Sequence, residues 1–404
     1  MIKNRNKNYL VLLLLTGVLL FANGKMIAQE SSKIVISKDM KWSERMALSI
    51  MKRAPIAWQV DNNEKTKWDY KLGLLMTSFE KLYKKTNNPV YADYIKGYAE
   101  TVINSSGEIL NYKLEDYNID NINAGKMLFD LYSRTKDNRY LTALQTLRTQ
   151  LETQPRTASG GFWHKQIYPN QMWIDGLYMA EPFYTQYTVT YESGKALDDV
   201  AKQFELVQNH LVDKKTGLVY QAWDESKQIG WANPETGTSP TIWGRGIGWY
   251  MMALVETLDY YPKTNPNYKV LVGYFNEISK NVLKYKSESG LWYQVTDKPE
   301  MKDNFLESSS SAMIIYSLAK GADKGYLISN YKKIAQKSFD AFVKEFVKKG
   351  ENGEVIISNV SSNVGLGGKP FRDGTIQYYI KSKAKDNSSP ALTAFLLSAI
   401  ELKK

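Results

Sequence analysis

Tyr178-Met-Ala-Glu-Pro-Phe-Tyr-Thr-Gln-Tyr-Thr-Val-Thr-Tyr191 reads as one buried helical run. Glu192-Ser193-Gly194 interrupts it, and Ala196 to Leu211 resumes the helical period. Ser and Gly are turn formers, so the stretch is a helix, a short turn and a second helix, an αα-hairpin. The same unit recurs outward in both directions. Tyr70 to Thr86 passes through Asn87-Asn88-Pro89 to Tyr91–Ile103, and Ala124 to Arg134 through Lys136-Asp137-Asn138 to Tyr140–Leu151. Trp249 to Tyr260, Ser310 to Leu318 and Ala391 to Leu402 carry the pattern to the end of the chain. Repeats of one supersecondary unit stack to share a core. Six hairpins joined by long loops dense in Gly and Trp predict an all-α fold, an (α/α)6 barrel. An open α-solenoid is the competing arrangement, but its repeats are shorter and more uniform.

The loops lie at Asn104–Asn123, Gln154–Asp175, Asp213–Gly248, Ser287–Ser309 and Lys349–Ser389. Helices supply a scaffold, and loops gathered at one rim supply a site. No domain boundary interrupts the pattern, so residues 29–404 read as a single catalytic domain. Residues 1–28 read as a secretory leader: Lys3, Arg5 and Lys7 precede an apolar run from Tyr9 to Ala22 that is short for a membrane span. Cleavage after Ala28 is expected, with export to the periplasm or beyond and no stable membrane association; Met26 is large for its place in the cleavage site, and a retained N-terminal anchor is the competing reading. The chain has no cysteine, so its stability in an oxidising compartment rests on its core. The formal net charge is +11, and about +7 without the leader. The basic residues are scattered as surface Lys pairs, which argues against a nucleic-acid partner.

The 10 Trp and 28 Tyr are the informative excess, because their apolar faces and polar edges suit sugar rings. With two histidines and no cysteine, no metal site is expected. Gly365-Leu-Gly-Gly-Lys369 lacks the spacing of a phosphate loop, and no Gly-x-Ser-x-Gly elbow is present. His210, at a helix end, is most simply a partner of the helix dipole.

Carboxylates are what remain. Asp175 and Asp120 each sit just before the first helix of consecutive hairpins. In a closed ring such positions converge, and two close carboxylates hold one proton near neutral pH. Asp175 could equally cap its helix, and Asp224 and Asp373 read as further acids or as turn residues. Arg245, in Ser239-Pro-Thr-Ile-Trp-Gly-Arg-Gly-Ile-Gly-Trp249, presents a fork suited to a carboxylate, or to a salt bridge within the ring. The alternating Gly244, Gly246 and Gly248 permit close backbone approach.

Several motifs in this order resemble glycoside hydrolase family 105, the unsaturated rhamnogalacturonyl hydrolases, and the related family 88 unsaturated glucuronyl hydrolases. They are Trp68-Asp-Tyr-Lys-Leu-Gly73, Asp120 with Gly125-Lys-Met-Leu-Phe129, Gly161-Phe-Trp-His-Lys165 and Gln171-Met-Trp-Ile-Asp-Gly-Leu-Tyr-Met179. Trp231-Ala-Asn-Pro-Glu-Thr-Gly237, Ser239 to Trp249 and Gly365-Leu-Gly-Gly-Lys-Pro-Phe-Arg-Asp-Gly374 complete the series. The resemblance implies removal of a 4,5-unsaturated uronic acid from a lyase-cut oligosaccharide, by hydration of the C4=C5 vinyl ether, with no cofactor or metal. It implies that Asp175 is the general acid/base and that Asp120 is the second carboxylate. His164, Lys165, Arg245 and position 221 become substrate contacts, with Trp173, Trp243 and Trp249 as ring platforms. Position 221 departs from the family pattern: Gln221 stands where a histidine is usual, which implies an altered subsite. An inverting glycosidase with the same carboxylates, and a carbohydrate-binding protein without turnover, are the other readings. The attached sugar is open between rhamnose of pectic rhamnogalacturonan and sulfated rhamnose of ulvan.

Overall fold

The computed structural model describes residues 34–404 apart from Asn363 and Lys383. The expected leader therefore lies outside the described residues. Helices α1 (Trp42–Arg53), α2 (Tyr70–Thr86), α3 (Pro89–Val102), α4 (Asp120–Asn123), α5 (Lys126–Thr135) and α6 (Asn138–Thr153) come first. They are followed by α7 (Ile174–Tyr191), α8 (Leu197–His210), α9 (Gly244–Thr257), α10 (Asn267–Leu283), α11 (Ser308–Asp323), α12 (Asn330–Phe346), α13 (Ile376–Ile380) and α14 (Ser389–Glu401).

Six segments form an inner ring. α2 packs on α4 and α5, α4 on α7, α7 on α9, α9 on α11, α11 on α14, and α14 returns to α2. The helices α1, α3, α6, α8, α10 and α12 lie outside, each against an inner neighbour. This closed double ring is the (α/α)6 barrel expected from the hairpins. Closure has a source that the hairpin pattern did not place. The sixth pair joins the two ends of the described chain, with α14 packed on α1. The Ser43 N–H and hydroxyl donate to the Lys404 carbonyl at 3.3 and 3.1 Å.

Inner-to-outer turns are short. α2 ends at Asn87 and α5 at Lys136, both left-handed, and Asn88 and Asp137 then cap the next helices by accepting from Val90 N–H and Arg139 N–H. The long outer-to-inner loops all lie at the opposite rim. The inner helices thus run parallel, with their N-termini at that rim.

The segment Gly244–Gly248, expected as loop, is the first turn of α9. Glycine costs a helix roughly 1 kcal/mol per residue in intrinsic propensity. Packing explains it here: a Cβ at Gly248 would lie 2.7 Å from Met313 Cβ on α11. Gly73 on α2 is tighter still, with its absent Cβ 2.2 Å from Ala124 Cα.

The long loops also hold three two-stranded antiparallel sheets that helical periodicity does not announce. β1 (Gln171–Trp173) pairs with β2 (Ala222–Asp224), β3 (Val347–Lys349) with β4 (Val355–Ile357), and β5 (Val360–Ser361) with β6 (Ala384–Lys385). The far end of the barrel is closed by ions. Glu256 Oε1 lies 2.6 Å from Lys81 Nζ and 2.8 Å from the Tyr316 hydroxyl. Burial would raise Glu256, but Lys81, Lys126 and Lys320 pull it well below the carboxylate range. Among the described residues, no helix is long and apolar enough to cross a membrane.

Candidate active site

The β1–β2 pair positions the centre of the site. Its register sets Trp173 opposite Ala222, and the Ile174 N–H donates to the Gln221 carbonyl at 2.8 Å. Asp175 follows at once, in the first turn of α7. It does not cap the helix, because Trp173 holds the cap position and no side chain caps there. The Asp175 Oδ2 atom is buried and has no hydrogen-bond partner among the described residues. Burial first, and Asp120 second, push the Asp175 carboxyl up to about 7; Arg245 and Lys165 oppose that shift only in part.

Asp120 opens α4 on the preceding inner segment. Burial acts to raise its carboxyl too, but Lys165 and His164 outweigh it and hold Asp120 below its ordinary value. Lys165 Nζ stands 2.7 Å from Asp120 Oδ2, and His164 Nε2 stands 3.5 Å from Oδ1. Burial takes His164 down to about 4, so the imidazole is neutral at pH 7 despite Asp120. It lies 4.7 Å from the Trp173 ring at an interplanar angle of 5°, and Tyr168 stacks on Trp173 at 4.9 Å. Trp173 therefore orients His164, and its ring is enclosed rather than displayed.

Arg245 takes the second of its two readings, a salt bridge within the ring. Its Nε donates to Ser309 Oγ at 2.7 Å, and one terminal nitrogen reaches the Ser361 carbonyl at 2.5 Å and Glu307 Oε1 at 3.6 Å. The buried Glu307 also caps α11, accepting from the Ser309 and Ser310 N–H groups. The cation is anchored in the ring and still acts on Asp175 through its charge. Its guanidinium lies 5.4 Å from the Trp243 ring centroid. Trp243 is buried, and its indole N–H has no partner among the described residues.

Trp249 is not a ring platform. It is fully buried in the core, where it stacks on Tyr178 of the neighbouring α7 at 5.0 Å. Asp224 is a loop organiser: its carboxylate accepts from Ser226, Gln228 and Ile229 N–H groups. Asp373 likewise holds a turn through Thr375. His210 stacks on Trp223 at 3.9 Å, and burial lowers its pKa, so it is a packing residue rather than a cation at the helix end.

Gln221 is buried against Tyr379, whose hydroxyl donates to its Oε1. Neither Tyr379 nor Tyr70 was singled out by the sequence. Tyr70 opens α2, within the quoted motif Trp68–Gly73. Burial and then Asp120 raise its phenol well above the ordinary range, with Asp175 adding to the shift. Among the described residues, no group of three or more His, Cys, Asp or Glu side chains is placed to hold a metal.

The sequence model of Glycosyl Hydrolase Family 88 matches residues 42–404. The chain is 40% identical to a family 105 glycoside hydrolase of C. acetobutylicum ATCC 824; their structures align with a TM-score of 0.86 over 90% of this chain and 99% of that one. It is 28% identical over 282 residues to the unsaturated rhamnogalacturonyl hydrolase YesR of Bacillus subtilis (strain 168), covering 68% of this chain and 75% of YesR. An unsaturated glucuronyl hydrolase from Bacillus sp. GL1 shares the fold at 14% identity, with a TM-score of 0.65 over 90% of this chain and 95% of that one.

Proposed function

The chain belongs to the glycoside hydrolases of families 88 and 105, and from that premise we propose that it removes a 4,5-unsaturated uronic acid from the non-reducing end of lyase-cut oligosaccharides. The observation that carries this reading is the Asp175 carboxyl, buried, with one oxygen unpartnered and its pKa pushed up to about 7. Such a group is available as an acid near neutral pH and regains a base function once it has given up its proton.

Protonated Asp175 delivers its proton to C4 of the C4=C5 double bond. Positive charge develops at C5 and is shared with the ring oxygen. Water adds at C5 as the Asp175 carboxylate takes one of its protons. The hemiketal so formed opens, and the uronate departs as a deoxy keto acid, freeing the attached sugar. Asp120, kept ionised by Lys165, raises the Asp175 pKa and accepts from sugar hydroxyls. Neutral His164 and the donors of Gln221, Trp243 and Arg245 hold the sugar.

The likeness to YesR favours rhamnose of rhamnogalacturonan as the attached sugar over sulfated rhamnose of ulvan. Lyase digests of both polysaccharides test this choice, with the rhamnogalacturonan digest expected to lose the ultraviolet absorbance of its conjugated double bond. Asp175→Asn is expected to abolish that loss while binding persists; undiminished turnover in the variant would sink the mechanism. Cleavage of saturated oligosaccharides instead would make the protein an ordinary glycosidase. Export through residues 1–28 belongs to the same proposal, and N-terminal sequencing of the protein recovered outside the cytoplasm is expected to begin at Gln29.

A further inference from the structure

The wall formed by β2 and α13 contains a buried amide that is half satisfied. Gln221 is 1% exposed and Tyr379 is fully buried. The Tyr379 hydroxyl donates to Gln221 Oε1, whereas Gln221 Nε2 has no partner among the described residues. Leaving a buried donor unpaired costs about 1–3 kcal/mol. The alternative orientation of the amide fares worse. Nε2 would then donate to the phenol, leaving the phenolic O–H without an acceptor. The carbonyl would become the free group in a site that already holds Asp120 and Asp175.

The surroundings fix the phenol in turn. Its ring centroid lies 6.0 Å from that of Trp243, and the Tyr379 carbonyl accepts from Gln294 Nε2 at 3.4 Å. Burial raises the phenol well above its ordinary value, with Tyr378 and Asp175 adding to this, so it remains a donor over the whole working range. On the other side, the Gln221 backbone is clamped by Ile174, the residue before Asp175.

We propose that Tyr379 is a positioning residue that locks the Gln221 amide with its NH2 group toward the Asp175 cavity, where that group donates to an oxygen of the bound uronate. This inference rests on the proposed function. The uronate carboxylate accepts and cannot donate, so an outward NH2 group suits it and an outward carbonyl repels it. The donor carries no proton that titrates in the working range, unlike a histidine in the same place. The Trp243 indole N–H is also buried and unpartnered among the described residues, and its ring lies beside that of Tyr379, so it is a second neutral donor near the same amide.

Tyr379→Phe frees the amide to rotate while keeping the ring that packs on Trp243. Gln221→Leu removes the donor at similar volume. Each is expected to raise KM for an unsaturated disaccharide on the order of tenfold, with a much smaller change in kcat, as expected for one lost hydrogen bond in ground and transition state alike. The double variant is expected to be no worse than Gln221→Leu, because Tyr379 acts only through the amide. Thermal midpoints of all three separate this from a folding defect. Multiplying KM effects, or an unchanged KM in Tyr379→Phe, would overturn the positioning role while leaving the wild-type activity, and so the proposed function, intact. A wild type that does not consume the double bond would overturn both.

Discussion

Lys165 Nζ stands 2.7 Å from Asp120 Oδ2, and through this contact two neighbouring residues of one loop and one helix hold the carboxylates of the site in different states. Asp120 is stabilised as an anion by Lys165. Asp175 lacks such a partner and meets the Asp120 charge, so its proton is retained up to about pH 7. An acid and an anion from adjacent inner helices thus act on each other through their charge without sharing a pKa.

The pH profile follows from this pairing. Turnover that needs protonated Asp175 is expected to fall as pH rises through about 7. Asp120→Asn removes the anion and frees Lys165, so both changes lower the Asp175 pKa. The basic limb of the kcat/KM profile is expected to move to lower pH, with the maximum reduced about tenfold to thousandfold. A limb that stays in place would show that Asp120 does not set the Asp175 pKa.

Stability carries the same signature with a definite sign. A carboxyl raised from its ordinary 3.8 to about 7 binds its proton more tightly in the folded protein. Its penalty is absent below the lower value, grows between the two and is complete above the higher. Asp175→Asn is therefore expected to match the wild type in acid and to exceed it by on the order of 4 kcal/mol above pH 7. Urea denaturation at about pH 3.5 and pH 8 measures the difference.

Glu307 ties Arg245 to the rim while capping α11 through the Ser309 and Ser310 N–H groups. Glu307→Ala leaves a buried guanidinium without its carboxylate and an inner helix without its cap. A loss of about 3–5 kcal/mol is expected for the broken buried pair. Calorimetry measures it, and a change within experimental error would show that Ser309 and Ser361 suffice to hold Arg245.

Trp249 belongs to the core, and its substitution should report on packing. Trp249→Ala is expected to cost about 3–5 kcal/mol in stability. Trp249→Phe should keep most of the stacking on Tyr178 and, in correctly folded protein, leave KM near the wild-type value. A large KM increase with unchanged stability in the Phe variant would restore Trp249 to the sugar-binding wall.

Much of this architecture is legible locally. Helical period and turn chemistry mark the hairpins, since Asn87, Lys136 and Gly194 fall where helices stop. The placement of Asp120 and Asp175 at the starts of successive inner segments follows from that repeat, and motif order carries the family likeness. Strands of three residues are too short for any period to show, so β1 and β2 went unread. The glycines at 244, 246 and 248 read as a loop because intrinsic propensity disfavours them in helices, and only their tertiary neighbours account for them: the Tyr293 carbonyl at Gly244, Ile174 at Gly246 and Met313 at Gly248.

Burial, pairing and direction needed the folded ring. Trp173, Trp243 and Trp249 are chemically alike in the sequence, yet one braces His164, one packs beside Arg245 and one lies in the core. Tyr379 meets Gln221 across 158 positions, and the sixth hairpin joins α1 to α14. Periodicity is a property of neighbours along the chain, so composition and spacing can specify helices and the order of their loops. Desolvation and hydrogen bonding depend on which distant groups share a cavity, and closure of the ring is what brings those groups together.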